Sequence, residues 1–147
     1  MLKITVIAVG KLKERFWRDA CAEYLKRLTG YCKIAVHEIA DSNIDQEGAL
    51  ILEALPEKST IVVLDVQGKP TSSEQLARKI DDLTIEGVSH ITFVIGGSDG
   101  LTRAVKERAF LRMSFGPITL PHNLARVVLL EQIYRAFKIM RGEPYHK

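Results

Sequence analysis

The sequence predicts an α/β domain with a mostly parallel sheet flanked by helices, and three observations carry that prediction. Apolar runs of strand length alternate with segments of helical periodicity from one end to the other. The strand runs are apolar nearly throughout, as strands covered on both faces are. At 147 residues with 46% hydrophobic side chains, the chain is the size of one domain and can bury a core, so residues 1–147 read as a single unit.

The elements follow in order. "LKITVIAV" is the first strand, and "ERFWRDACAEYLKRL" places Phe16, Ala20, Tyr24 and Leu28 at helical spacing. "KIAVHEI" is a second strand. "DSNIDQEGALILEAL" opens with helix-starting Asp, Ser and Asn and stops at Pro56. "STIVVLDV" is the third strand, and "QGKP" reads as a turn. It leads to the helix "TSSEQLARKIDDLTIEG", where Thr71 and Glu74 have the spacing of a capping box. "HITFVIGG" is the fourth strand, followed by a short helix over about 101–110. The last helix, from Pro121 to about Arg141, is apolar at 124, 127–130, 133, 134, 137, 139 and 140. Those positions cover more than one face, whereas a helix lying on one sheet shows a single stripe. A second buried surface is expected, and a second copy of the chain is the expected occupant, in a homodimer; the other reading is an unusually central core helix.

Composition excludes several classes. No apolar run reaches the length of a signal-peptide core or a membrane span. Cys21 and Cys32 are too few for a disulfide framework, so a reducing, cytoplasmic setting is expected. The four histidines, His37, His90, His122 and His146, form no zinc-binding pattern, and no metal is expected. The Gly-Gly-Ser-Asp-Gly run at 96–100 lacks the spacing of a dinucleotide fingerprint, and the Gly68-Lys69 pair lacks the upstream glycine of a P-loop. Charge is uneven: residues 1–100 hold 12 Lys/Arg against 15 Asp/Glu, while 101–147 hold 9 against 3. A basic C-terminal third suits a polyanion engaged by one face. Arg103, Lys106, Arg108, Arg126, Arg135, Lys138 and Arg141, with "GKLKER" near the N-terminus, are its candidate rim.

Three loops remain: "LDVQGK" after the third strand, "IGGSDG" after the fourth, and "SFGPITLPHNLAR" before the last helix. Ligands of open α/β sheets bind outside the carboxyl ends of strands, where the first two lie. The bare backbone of Gly96 and Gly97 fits either close approach by a ligand or a tight turn. A non-enzymatic RNA-binding module accounts for the charge but not the loops, and another nucleotide-dependent α/β enzyme for the loops but not the missing phosphate motifs. In order and spacing these segments, with the N-terminal "IAVGK" and the terminal "RGEPYHK", resemble the ribosomal large-subunit methyltransferase H family of the SPOUT class over the whole chain.

That resemblance implies an S-adenosylmethionine-dependent enzyme methylating N3 of a pseudouridine in 23S ribosomal RNA of the ribosome or its large subunit. It also implies a homodimer and a C-terminal trefoil knot around the cofactor. By motif, the cofactor positions fall on Leu64, Gly96, Phe115, Gly116, Pro117, Ile118, Thr119 and Leu120. Because a sulfonium already activates the methyl group, the protein has to position the acceptor and remove the N3 proton. His146, titratable near neutrality, is the candidate base. Tyr145 is expected to stack on or hydrogen-bond the substrate base, and Arg126 to orient it.

Overall fold

The computed structural model describes residues 1–145; His146 and Lys147 lie outside it. Five parallel strands form one sheet in the order β2-β1-β4-β3-β5, from β1 (Lys3–Val9), β2 (Lys33–Ile39), β3 (Thr60–Pro70), β4 (His90–Ile95) and β5 (Leu111–Ser114). The helices are α1 (Arg15–Leu28), α2 (Ile44–Ala54), α3 (Ser73–Ile85), α4 (Arg103–Glu107) and α5 (His122–Met140). Alternation along the strands divides the core in two. Ile4, Val6, Val62, Ile91 and Phe93 face one layer with α1, α3 and α5, while Ile7, Val9, Val63 and Val94 face the other with α2 and α4. The central strands are therefore covered on both faces, which is why β1, β4 and the first part of β3 are apolar nearly throughout, whereas the edge strand β2 exposes Lys33, His37 and Glu38.

Several boundaries differ from the sequence reading for local reasons. The sequence reading assigns no strand over 111–114: the four residues of β5 are too few to show a period, and it is defined by pairing with β3. The "QGKP" turn is instead part of a strand that leaves the ladder after Leu64 and rejoins it at Lys69, so that both Leu64 and Lys69 align with Met113. The α3 capping box is Ser72 with Gln75, one residue beyond the Thr71 and Glu74 pair. Ser72 Oγ accepts from the Gln75 N–H at 3.1 Å and Gln75 Oε1 from the Ser72 N–H at 2.8 Å. For α2 the expected start holds, since Asn43 Oδ1 accepts from the Gln46 N–H. Helix α4 spans five residues, shorter than the expected 101–110. In α1 the inward face is Cys21, Tyr24, Leu25 and Leu28, whereas Phe16 is exposed.

Helix α5 lies between α1 and α3 against the sheet, which buries much of its circumference within one chain. Leu129 and Ile133 are wholly inaccessible and belong to the core. Leu124 and Val128 differ: both are half-buried, one turn apart, and belong to neither core cluster.

Candidate active site

A cavity of about 760 Å³ opens at the carboxyl ends of β3, β4 and β5. Its walls come from residues 64–67, 95–101, 113–116 and 118–122, with Lys106 of α4 and Ala125 of α5. All three loops named from the sequence converge there. Of the eight positions assigned to a cofactor, Leu64, Gly96, Phe115, Gly116, Ile118, Thr119 and Leu120 line the cavity; Pro117 is exposed and does not.

The glycines serve the loop before they serve any ligand. A Cβ on Gly96 would lie 2.7 Å from the Gly100 carbonyl oxygen and 2.9 Å from Leu101 Cδ2. The loop closes on itself as the Gly100 N–H donates to the Gly97 carbonyl at 3.0 Å, with Gly100 at φ +85°. A Cβ on Gly97 would meet Glu47 Oε1 at 3.1 Å. Glu47 is buried and holds the Ser42 N–H at 2.8 Å; burial first, then nearby Asp41, raise its carboxyl above the ordinary range. On the opposite wall Gly116 stands at φ +109° with open space where a Cβ would be. Ser114 fixes this turn, its Oγ accepting from the Gly116 N–H at 3.0 Å and donating to the Gly116 carbonyl at 3.1 Å.

The walls combine apolar faces from Leu64, Ile95, Met113 and Leu120 with backbone edges at the glycines and two carboxylates, Asp65 and Asp99. Asp65 is buried at the cavity wall, and its Oδ1 accepts from the Gln67 N–H at 3.0 Å. Met113 went unnoticed because β5 was not recognised, and Ser114 appeared only as the first residue of the third loop. Among the described residues, no three metal-ligating side chains cluster.

Of the three residues expected to act on substrate, the structure describes Arg126 and Tyr145, and neither lines the cavity. Arg126 is 3% exposed and its donors are taken by the protein: its NH1 donates to Glu38 Oε2 at 2.6 Å and its NH2 to the Gly10 carbonyl at 2.9 Å. Tyr145 packs edge-on against Tyr134, carries Arg135 over its ring at 4.7 Å and donates to Glu131 Oε2 at 2.9 Å. Burial, then the Glu131 bond, push its hydroxyl up to about 12. Glu131 lies nine residues along α5 from His122 at the cavity, about 14 Å of helix rise. His146 lies outside the described residues. The expected basic rim is likewise divided: Arg135 is bound to Glu131, Arg141 stacks on Tyr31 at 4.4 Å, and Arg126 is buried.

Known proteins resemble the chain over its whole length. The family model described as "Predicted SPOUT methyltransferase" matches residues 2–146. Proteins named "Ribosomal RNA large subunit methyltransferase H" from Carboxydothermus hydrogenoformans and Bifidobacterium adolescentis are each 48% identical to it over 159 residues, covering 99% of this chain and all of theirs. One of the same name from Listeria monocytogenes is 46% identical with the same coverage.

Proposed function

The chain belongs to the SPOUT methyltransferase family, and from that premise we propose that it is an S-adenosylmethionine-dependent methyltransferase of large-subunit ribosomal RNA, acting on N3 of a pseudouridine. The observation that carries the reading is the convergence of the three motif loops on one cavity. Its volume of about 760 Å³ is of the size that holds a cofactor, with mostly apolar walls and few polar groups. The residues present fit this cofactor. Leu64 and Leu120 offer faces for an adenine, the glycine loops offer N–H and C=O edges, and Asp99 suits a ligand of net positive charge.

When bound, S-adenosylmethionine supplies a methyl group on a sulfonium, activated for transfer. The chain's residues then have to bring N3 into line with that methyl, a positioning effect worth as much as ~7 to 11 kcal/mol in favourable systems. Val66 and Ile118, apolar yet 79% and 74% exposed, flank the mouth and suit packing against an incoming nucleobase. We assign removal of the N3 proton to His146, a contribution of ~100-fold to 10,000-fold for a well-placed base. Tyr145 keeps its own proton through the neutral range, so it acts as a donor or stacking face and anchors the tail to α5. Arg126 acts through the backbone it holds: it ties Gly10, beside the His122 ring, to Glu38.

Because Tyr145 packs away from the cavity of its own chain, a second copy is the natural source of a tail that covers it. We infer a homodimer through the Leu124 and Val128 face of α5. We also infer that the segment from β5 to α5 threads as a trefoil knot, and membership of the SPOUT family supports this. A crystal structure whose chain, joined end to end, closes to an unknotted curve would refute the threading. The activity is tested by methyl transfer from labelled cofactor to ribosomes, large subunits and free 23S RNA lacking the modification, with the product mapped by mass spectrometry. Tight binding of NADH or ATP in place of S-adenosylmethionine, or no transfer to any of the three, would overturn the reading.

A further inference from the structure

We infer that Lys106 and Arg112, drawn together over the buried carboxylate of Asp65, dock a backbone phosphodiester of the RNA beside the nucleoside being methylated. The inference rests on the RNA reading above and gives that RNA a place on the surface.

Position comes first. Lys106 lines the main cavity and also a second concavity of about 390 Å³, whose other walls are Arg103, Glu107 and Arg112. A group held in the second concavity is therefore adjacent to whatever enters the first, as a phosphate is adjacent to its own nucleoside. Charge comes next. Glu107 is taken by Arg103, whose Nε lies 3.0 Å from its Oε1. Lys106 and Arg112 face Asp65 Oδ2 from 3.6 and 3.8 Å. These separations are too long for hydrogen bonds. One carboxylate thus gathers two cations without taking up their N–H donors. Asp65 is 3% exposed in its side chain and its Oδ2 has no hydrogen-bond partner, whereas Lys106 and Arg112 are 27% and 53% exposed.

The lining chooses the ligand. Four charged side chains and no apolar one make the second concavity unsuited to a nucleobase, and the excess of cations suits a compact anion with several acceptor oxygens. A guanidinium beside an ammonium is a phosphate-binding pair. Arg112 is held in place from behind, because the rejoining end of β3 presses on it: a Cβ at Gly68 would lie 2.6 Å from the Arg112 carbonyl oxygen.

The test compares wild type with the Lys106→Gln, Arg112→Gln and double variants in equilibrium binding to unmodified large ribosomal subunits over a range of salt, with S-adenosylmethionine affinity measured separately by calorimetry. The double variant is expected to bind subunits at least ~10-fold more weakly, and its plot of log affinity against log salt should flatten by roughly 0.7 to 0.9 for one lost phosphate contact. Arg112 does not line the cofactor cavity, so the cofactor affinity of Arg112→Gln is the control for an intact fold and is expected to stay within about twofold. Arg112→Lys should keep the wild-type slope. Unchanged subunit affinity and slope in the double variant would overturn the proposal, as would a fall in the cofactor affinity of Arg112→Gln matching its fall for subunits. Saturable binding of inorganic phosphate by wild type, lost in the double variant and without competition by subunits, would make this a free-anion site and also overturn it. Because subunit binding needs no turnover, the outcome is independent of whether methyl transfer itself is observed.

Discussion

Replacing Arg126 with alanine separates its structural part from any direct part in the reaction. The guanidinium is 3% exposed and makes two short contacts, to Glu38 Oε2 at 2.6 Å and to the Gly10 carbonyl at 2.9 Å. Removing it leaves the Gly10 carbonyl without its donor, which costs about 1 to 3 kcal/mol where water cannot replace it. It also leaves Glu38 unpaired. Breaking a fully buried ion pair costs about 3 to 5 kcal/mol, but the Glu38 side chain is 39% exposed and recovers much of its hydration. The combined loss is therefore set at about 3 kcal/mol, near the lower end of the buried-pair range. For a domain of this size that corresponds to a fall in Tm of roughly 6 to 12 °C.

Glu38→Gln supplies the contrast. It keeps an oxygen for NH1 to bond and loses only the charge assistance, so the expected cost is about 1 kcal/mol. Calorimetric melting of the purified protein measures both variants, and single-turnover methyl transfer per folded molecule, well below the lowered Tm, measures the reaction. If Arg126 works by holding Gly10 and the loop beside His122, both variants lose activity in the same order as they lose stability. An Arg126→Ala protein that melts within about 2 °C of wild type yet transfers no methyl would refute this reasoning, because the side chain would then have to reach the substrate.

Gly96→Ala should lower cofactor affinity ~10-fold or more and also destabilise the fold, since its Cβ would lie 2.7 Å from a carbonyl of its own loop; calorimetric titration that finds normal affinity would exclude that clash. Val128→Glu should yield folded monomers in sedimentation, whereas Leu129→Arg, with no exposed surface, should yield aggregates; a Val128→Glu protein that still sediments as a dimer would remove this face from the interface. For Tyr145, whose hydroxyl is raised from 10.0 to about 12, the fold gains stability that is fully present below pH 10 and disappears as pH climbs toward 12. Tyr145→Phe should remove that part of the alkaline decline in melting temperature, and an identical decline in both proteins would count against the assignment. His146→Ala should slow single-turnover transfer by roughly ten- to a thousand-fold, with partial recovery at higher pH; a rate equal to wild type at every pH would show that another group takes the proton.

The sequence was most legible where pattern and burial coincide. Near-continuous runs such as "TIVVLDV" can be satisfied only by strands covered on both sides, and the topology delivers α1, α3 and α5 on one face and α2 and α4 on the other. The loops after the strands were legible for the same reason, because a parallel sheet gathers its carboxyl ends on one edge. β5 was not legible: Leu111 to Ser114 owes its state to Val62, Val63 and Leu64 across the ladder, a long-range partner no local window contains. The irregular return of β3 hid equally well, since Gly68 and Pro70 are turn residues by composition and strand residues only through pairing with β5.

Residues 121–141 show why a helix apolar on more than one face is ambiguous in sequence. Most of that surface is used within the chain, because α5 is pressed between two helices and the sheet, and Leu129, Leu130, Ile133 and Phe137 are core. The argument for a second surface survives only on the narrower strip at Leu124 and Val128. That strip begins beside His122, at the cavity, and not at the end of α5 where Tyr145 packs. A two-fold contact centred there would bring the partner's α5 alongside the cavity mouth, antiparallel or crossed, so that assembly and the placing of the tail become one geometric question. Val128→Glu therefore bears on both. If the tail of one chain completes the site of the other, the monomeric variant keeps S-adenosylmethionine affinity, whose contacts lie within one chain, and loses methyl transfer. If each chain uses its own tail, the monomer retains transfer on free RNA.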